Sequence, residues 1–260
     1  MVISEKDILQ NGNIHIEGLI PDSSNGALKV EIDFKNHKKI AILKPQVTIK
    51  PLWDFPDKDL NKRELATFLL SEQLSLNVVP TTVLREVEGI GECLIQNWID
   101  EIANEFVIVK APDEIPSNYL KILNGYDELN TLIALAHVDS RDLRNLCLFD
   151  FIINNADRKG SHLLQDSKNR LWAIDHGVTW HKENKIRTIL WGWIGKNFDE
   201  EDKNLLKKSL EVLQNWKIGK LQILPSEDLK AAIVRIENLL EIGMFPQPSG
   251  DWPAVPWPIF

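Results

Sequence analysis

The chain has no apolar run approaching the roughly 18–20 residues that a membrane span requires. Its first ten residues, MVISEKDILQ, carry charge early and hold no apolar core segment, so they do not read as a secretory signal, and the cytoplasm is the expected compartment. Cysteine is scarce: Cys93 and Cys147 stand alone with no CxxC spacing, which excludes a disulfide framework and a cysteine-based zinc site and predicts two buried thiols. Basic excess is absent as well. A net charge of −8 argues against a nucleic-acid partner, which would need a basic face to release counterions. No GxGxxG and no HExxH occurs, so neither of those phosphate and zinc signatures is present.

What is there is an ordinary globular composition. The 260 residues are 43% hydrophobic and 26% charged, enough for one large domain or two small lobes. Nine tryptophans is a high count, and most should lie in a core or a cleft wall. A peripheral contact with a membrane surface is left open for a few of them.

The first hundred residues read as a small antiparallel sheet with one helix. Leu28, Val30, Ile32 and Phe34 alternate with Lys29, Glu31 and Asp33, the pattern of a half-buried strand. A weakly alternating stretch from Ile14 to Ile20 precedes it across a Pro21–Gly26 turn, and a third strand over 40–44 follows it. A helix is predicted over 62–74, with Asn61 as its cap and Glu64 completing a capping box. Val83–Val87 and Cys93–Trp98 read as two further strands about a Gly89–Gly91 turn. After Asp100 the texture is read as helical over 119–137 and 140–153, then a polar loop over 154–161, a short hairpin over 162–174, and helices over 200–215 and 226–242. The stretch 251–260, with three prolines and two tryptophans, reads as an extended strap. The expected organisation is therefore α+β, with an N-terminal lobe over 1–99 and a helical lobe over 100–260 flanking a cleft.

The densest polar cluster is Asn154-Asn155-Ala156-Asp157-Arg158-Lys159-Gly160-Ser161-His162, set between an apolar helix and a short strand. Asp157 could take a proton from an attacking hydroxyl, Lys159 could meet a phosphoryl group, and His162 could ligate a metal. The plainer reading is a helix-to-strand connection whose Asp caps backbone N–H groups. Thirteen residues past His162, Ile174-Asp175-His176-Gly177 puts a carboxylate at a strand end, where it could hold Mg²⁺. Phosphoryl transfer by protein kinases needs a base Asp, a metal-binding side chain five residues on, and a second metal-binding Asp on the next strand turn. Asp157, His162 and Asp175 fall in that order. The same chemistry needs a third-strand Lys paired with a helix Glu, and Lys44 and Glu64 stand at those places. Taken singly, Lys44 reads as a solvated strand-end cation and Glu64 as a capping residue. Ser140-Arg141-Asp142-Leu143 mimics a catalytic-loop triplet, but Asp142 plus five is Cys147, so that stretch is assigned to a helix start. Ser23-Ser24-Asn25-Gly26 could cover phosphates through backbone N–H groups.

Asn155-Ala156-Asp157-Arg158 and Ala173-Ile174-Asp175-His176-Gly177, with Leu76-Asn77-Val78-Val79-Pro80 and Trp191-Gly192-Trp193-Ile194, resemble the phosphatidylinositol 3-/4-kinase-like branch of the protein-kinase fold. The resemblance is nearest to the type II phosphatidylinositol 4-kinases and their bacterial relatives, and covers about residues 14–200. It implies a two-lobed kinase-like fold, ATP with Mg²⁺ or Mn²⁺, and a hydroxyl-bearing acceptor. It implies Lys44 and Glu64 on the ATP phosphates, Gln96, Asn97 and Trp98 as a hinge on the adenine, Asp157 as the catalytic aspartate, and Asp175 with His162 at metal positions. His162 stands where the family keeps Asn, and imidazole suits Mn²⁺ better than Mg²⁺. The cysteine-rich lipidated segment of the eukaryotic lipid kinases is absent, so lipid, protein and small molecule all remain open as acceptor. Two other readings stand beside the kinase: a nucleotide-binding pseudokinase acting as an interaction module, and a metal-dependent hydrolase using Asp157, His162, Asp175, His176 and His181. Transfer of the nucleotide's AMP part is a variant of the first.

Overall fold

The computed structural model describes residues 3–21, 23, 25–216 and 223–260. It is a mixed α+β structure with antiparallel sheets and five α-helices among the described residues. The described residues divide into two compact units: those of 3–100 with 174–179 and 223–224, and the remainder. Residues 174–179, expected with the second lobe, thus belong with the first unit.

The first unit is built on a five-stranded sheet of order β1-β2-β3-β5-β4, from β1 (Asn13–Leu19), β2 (Leu28–Phe34), β3 (His37–Pro45), β4 (Thr82–Val87) and β5 (Gly91–Asn97). All its pairings are antiparallel, with Lys44 opposite Leu94 and Gln96 lying between Ile42 and Thr82. The alternation seen in β2 is realised as Val30 and Ile32 fully buried, with Ala41, Leu43, Val83, Cys93 and Ile95 in one core cluster. Ile8 and Leu9 complete that cluster from α1 (Glu5–Asn11), a helix the sequence reading missed. Seven residues with two apolar positions carry too little periodicity to announce a helix. The start is nonetheless written as a capping box, in which Asp7 N–H donates to Ser4 Oγ (3.1 Å) and Ser4 N–H to Asp7 Oδ2 (3.0 Å).

The predicted helix over 62–74 is α2 (Leu60–Leu74) and starts two residues earlier, with Asp59 as its N-cap. The capping role read for Asn61 and Glu64 is therefore corrected. Asn61 is buried in the first turn and donates from Nδ2 to the Lys44 carbonyl (3.1 Å), tying helix to strand end.

The second unit begins with β6 (Glu101–Ile102) and holds two three-stranded antiparallel sheets. One is β7 (Val107–Lys110), β8 (Tyr119–Tyr126) and β9 (Leu132–Val138) in the order β7-β9-β8. The helix expected over 119–137 is thus a β-hairpin, and the mainly helical lobe expected over 100–260 is corrected to one that also carries this sheet. Asp127 makes the turn: its Oδ1 accepts from Leu129 N–H (2.9 Å) and Thr131 N–H (2.8 Å), and Asn130 adopts a positive φ of 59°. An Asp–Asn turn between β-formers outweighed an apparent 3.6-residue spacing. The other sheet orders β11-β10-β6, with β10 (Leu163–Asp166) and β11 (Leu171–Ala173) forming the short hairpin.

Around these strands lie α3 (Arg141–Ile153), α4 (Glu200–Gln214) and α5 (Ser226–Ile242). Ser140 caps α3 from Oγ, accepting from Leu143 N–H. At its other end the half-buried Arg235 of α5 donates to the carbonyls of Ile152 (2.7 Å) and His181 (3.0 Å), satisfying a helix-terminal acceptor. Trp180, Trp191 and Trp193 are buried in this unit, while Trp257 is exposed. No helix among the described residues is long and apolar enough to cross a membrane.

Candidate functional site

In the first unit three charged side chains meet. Lys44 stands near the end of β3 and its Nζ donates to Glu64 Oε1 of α2 at 2.6 Å and to Asp175 Oδ1 at 3.3 Å. The Glu64 side chain is only 3% exposed, whereas that of Asp175 is 54% exposed. Burial opposes the charge on Lys44, but the Glu64 and Asp175 carboxylates outweigh it and hold the ammonium above its usual range. Burial raises the Glu64 carboxyl, with Lys44 pulling the other way.

The local chain explains how Asp175 reaches this place. Asp175 has a positive φ of 60°, which a short polar residue tolerates. A Cβ on Gly177 would come 3.3 Å from Leu60 Cβ and 3.6 Å from Glu64 Oε1, so the absent side chain lets the 174–179 segment lie close on α2. Arg63 of α2 then pins the segment by donating from Nη1 to the Thr179 carbonyl at 2.8 Å.

In this cluster the group that could meet a hydrated divalent cation is Asp175. Asp175 offers a half-exposed carboxylate, and Glu64 Oε2 is buried with no hydrogen-bond partner among the described residues. No group of three or more His, Cys, Asp and Glu able to hold a metal ion occurs among the described residues.

The other expected nucleotide contacts are held within the sheet and its turns. Gln96 is buried and donates to Thr82 Oγ1 (2.9 Å). The N–H groups of Asn97 and Trp98 donate to the carbonyls of Thr81 (2.8 Å) and Ile40 (3.0 Å), so these two donors are already engaged. Ser23 Oγ accepts from Ala27 N–H (2.8 Å), and Asn25 accepts from Thr48 Oγ1 and Lys50 N–H, stitching that turn to residues 46–50. Ser24 lies outside the described residues.

In the second unit the loop after α3 is held by a buried charge network. Asp150, fully buried near the end of α3, receives Arg158 Nε at Oδ2 (2.8 Å) and Arg158 Nη2 at Oδ1 (2.9 Å), a two-pronged pair with neither partner exposed. Asn155 Nδ2 also donates to Asp150 Oδ1 (2.9 Å), while Asn155 Oδ1 accepts the Asp157 N–H (3.0 Å). Arg158 and Asn155 are further laced to residues 187–189 through backbone hydrogen bonds. The result is a rigid loop presenting Asp157, partly exposed, with Lys159 Nζ 3.5 Å from its Oδ2. His162 is 8% exposed, and its Nδ1 lies 3.5 Å from the Lys159 N–H, where the ring braces the loop. Sequence reasoning did not single out Asp150 as a site residue. The signal was an Asp between two phenylalanines, Phe149 and Phe151, near the end of an apolar helix.

His137, also fully buried, accepts the Gly192 N–H at Nε2 (3.0 Å), pairs its Nδ1 with the Val138 carbonyl (3.0 Å), and stacks on Trp193 with ring centroids 4.4 Å apart. A Cβ at Gly192 would fall 2.5 Å from that Nε2, which accounts for the glycine between Trp191 and Trp193. A pocket of about 310 Å³ in this unit, lined by residues including Phe106, Tyr119 and Gln165, contains none of the predicted site residues.

Protein Rv2133c of Mycobacterium tuberculosis is 34% identical over 272 residues, spanning 98% of this chain and 95% of that protein. The chain belongs to the same family. No protein-family model matches it. The likeness runs through both units, so the Lys44–Glu64–Asp175 cluster and the Asp157 loop both lie inside the shared region.

Proposed function

We propose that this protein is an ATP-dependent phosphotransferase of protein-kinase-like type, moving the γ-phosphoryl group to a hydroxyl acceptor. The observation that carries the reading is the Lys44–Glu64–Asp175 cluster. An ammonium held by a buried carboxylate, with a half-exposed second carboxylate beside it, is what binding a triphosphate and its cation requires. ATP supplies the transferable group, and the cation neutralises charge on its phosphates.

Lys44 contacts phosphate oxygens, and Glu64 keeps that lysine charged and aimed. Asp175 offers the hard oxygen that Mg²⁺ or Mn²⁺ prefers. Asp157 accepts the acceptor's proton as its oxygen attacks phosphorus, and Lys159 balances charge at that loop. The Asp150–Arg158 pair and Asn155 hold Asp157 in place. Positioning and electrostatics supply most of the catalysis in this chemistry, and a loop braced this firmly suits it.

The test is turnover. Asp157→Ala should keep Mg²⁺-ATP binding and lose at least about a hundredfold in phosphoryl transfer, the usual worth of a general base. Full turnover in that variant removes Asp157 from the mechanism. A second reading, a nucleotide-binding module without turnover, draws on His162, whose buried ring stands where a kinase keeps a metal ligand. It predicts nucleotide binding in the unaltered protein with no transfer and no hydrolysis under either metal.

A further inference from the structure

Residues 252–260, Trp-Pro-Ala-Val-Pro-Trp-Pro-Ile-Phe, run without helix or strand over the second unit to the loop that carries Asp157. The two halves of this segment are held very differently. Trp252 lies under Lys185 Nζ, 4.2 Å from the ring centroid, and the Ala254 carbonyl accepts from Thr188 N–H (3.0 Å) and Trp191 Nε1 (2.7 Å). Pro256 is buried. Beyond it the grip is light. Trp257 is 85% exposed and Pro258 is exposed, and only then does the segment reach the 154–162 loop. The Ile259 carbonyl accepts the Gly160 N–H at 2.8 Å. The Phe260 ring fills the space left by the missing side chain of Gly160, where a Cβ would fall 2.4 Å from its Cε1. Gly160 is three residues from Asp157 and next to Lys159, and residues 252–260 include no serine, threonine or tyrosine.

We propose that residues 257–260 occupy the acceptor's place on the Asp157–His162 loop as a tethered peptide that cannot itself accept a phosphoryl group. The inference rests on the phosphotransferase reading and deepens it: the acceptor class is a polypeptide, and the protein rests closed. The contacts on the loop are those an extended peptide makes, a main-chain carbonyl on a loop N–H and one ring in a glycine notch. The firm hold up to Pro256 and the light hold after it form a strap that can swing off without unfolding.

Three proteins test this: the intact chain, a variant ended at Pro256, and the milder Phe260→Ala. The readout is hydrolysis of ATP, with water as acceptor. Water oxygen attacks the γ-phosphorus, the bond from that phosphorus to the bridging oxygen breaks, ADP leaves, and the water proton passes to Asp157. Release of one hydrogen bond and one half-exposed ring should raise the rate roughly fivefold in the truncated chain and less in Phe260→Ala. A synthetic peptide of residues 252–260 added to the truncated chain should restore the low rate. Amide exchange at Gly160 should be slow in the intact chain and fast after truncation. An unchanged or lower rate on truncation, a peptide without effect, or equal exchange at Gly160 overturns the proposal. If Mg²⁺-ATP still raises the melting midpoint of both proteins in that case, the phosphotransferase reading survives it. If Mg²⁺-ATP shifts neither midpoint, the reading fails and this inference falls with it.

Discussion

Arg158→Met is the perturbation whose cost the structure defines best. Both partners of the Asp150–Arg158 pair are fully buried, and the pair carries two hydrogen bonds of 2.8 and 2.9 Å. Methionine keeps much of the volume but leaves Asp150 as a buried carboxylate whose one remaining side-chain donor in that network is Asn155. Removing one member of a buried pair costs about 3–5 kcal/mol. For a chain of this size, at about 2–4 °C per kcal/mol, the melting midpoint should fall by roughly 6–20 °C. Thermal unfolding followed by tryptophan fluorescence measures this, since Trp180, Trp191 and Trp193 are buried in the same unit. The double variant Asp150→Leu with Arg158→Met should recover a large part of the loss, because apolar replacement of a whole buried pair is close to neutral. Recovery should stop short of complete, because Asn155 loses its acceptor. If Arg158→Met alone costs under about 1 kcal/mol, the pair behaves as a solvated surface bridge, and the account of how the loop is held is wrong.

Two further predictions concern the packing of the second unit. Burial pushes the His137 imidazole down to about 4, below its ordinary value near 6.5, and its Nε2 accepts the Gly192 N–H, so the folded state needs the neutral ring. A depressed folded-state value means that the contribution is complete above about pH 6.5 and is lost as pH falls toward 4, at most about 3 kcal/mol. Urea midpoints at pH 7 and 4.5 read this loss, and His137→Gln should flatten the dependence; an equal pH slope in that variant refutes the assignment. Gly192→Ala should destabilise by about 1–3 kcal/mol through forced overlap with His137 and Leu120, and a neutral effect there would mean that the loop yields freely.

Much of the architecture can be read from local pattern. The strict alternation in β2, the Ser140 cap of α3, and the apolar stripes of α4 and α5 each place an element within one or two residues of where it lies. The failures have physical causes. The β8–β9 hairpin carries apolar residues on both of its strands, and only the Asp127–Asn130 turn distinguishes it from a helix. Helix α1 is too short to show a period, and its capping box is its only local mark. At the candidate site, the order Lys44, Glu64, Asp175 is visible along the chain, and the structure gathers these three side chains although 131 residues separate Lys44 from Asp175. The burial of Glu64 and the positive φ of Asp175 are tertiary facts that no spacing encodes. The support for Asp157 was hidden for the same reason. Asp150 and Arg158 are eight residues apart, and nothing local reveals that both leave water and find each other.

The central claim is that Lys44, Glu64 and Asp175 hold a metal–nucleotide complex. The most direct test is thermal unfolding with ATP, with and without Mg²⁺ or Mn²⁺, for the unaltered protein beside Asp175→Ala. A ligand at about 100 times its dissociation constant adds roughly 2.7 kcal/mol, which should raise the midpoint by several degrees. The account predicts a metal-dependent rise in the unaltered protein and its loss in Asp175→Ala, with both proteins folded at the outset. An equal rise in the variant, or no rise with either metal in the unaltered protein, contradicts it.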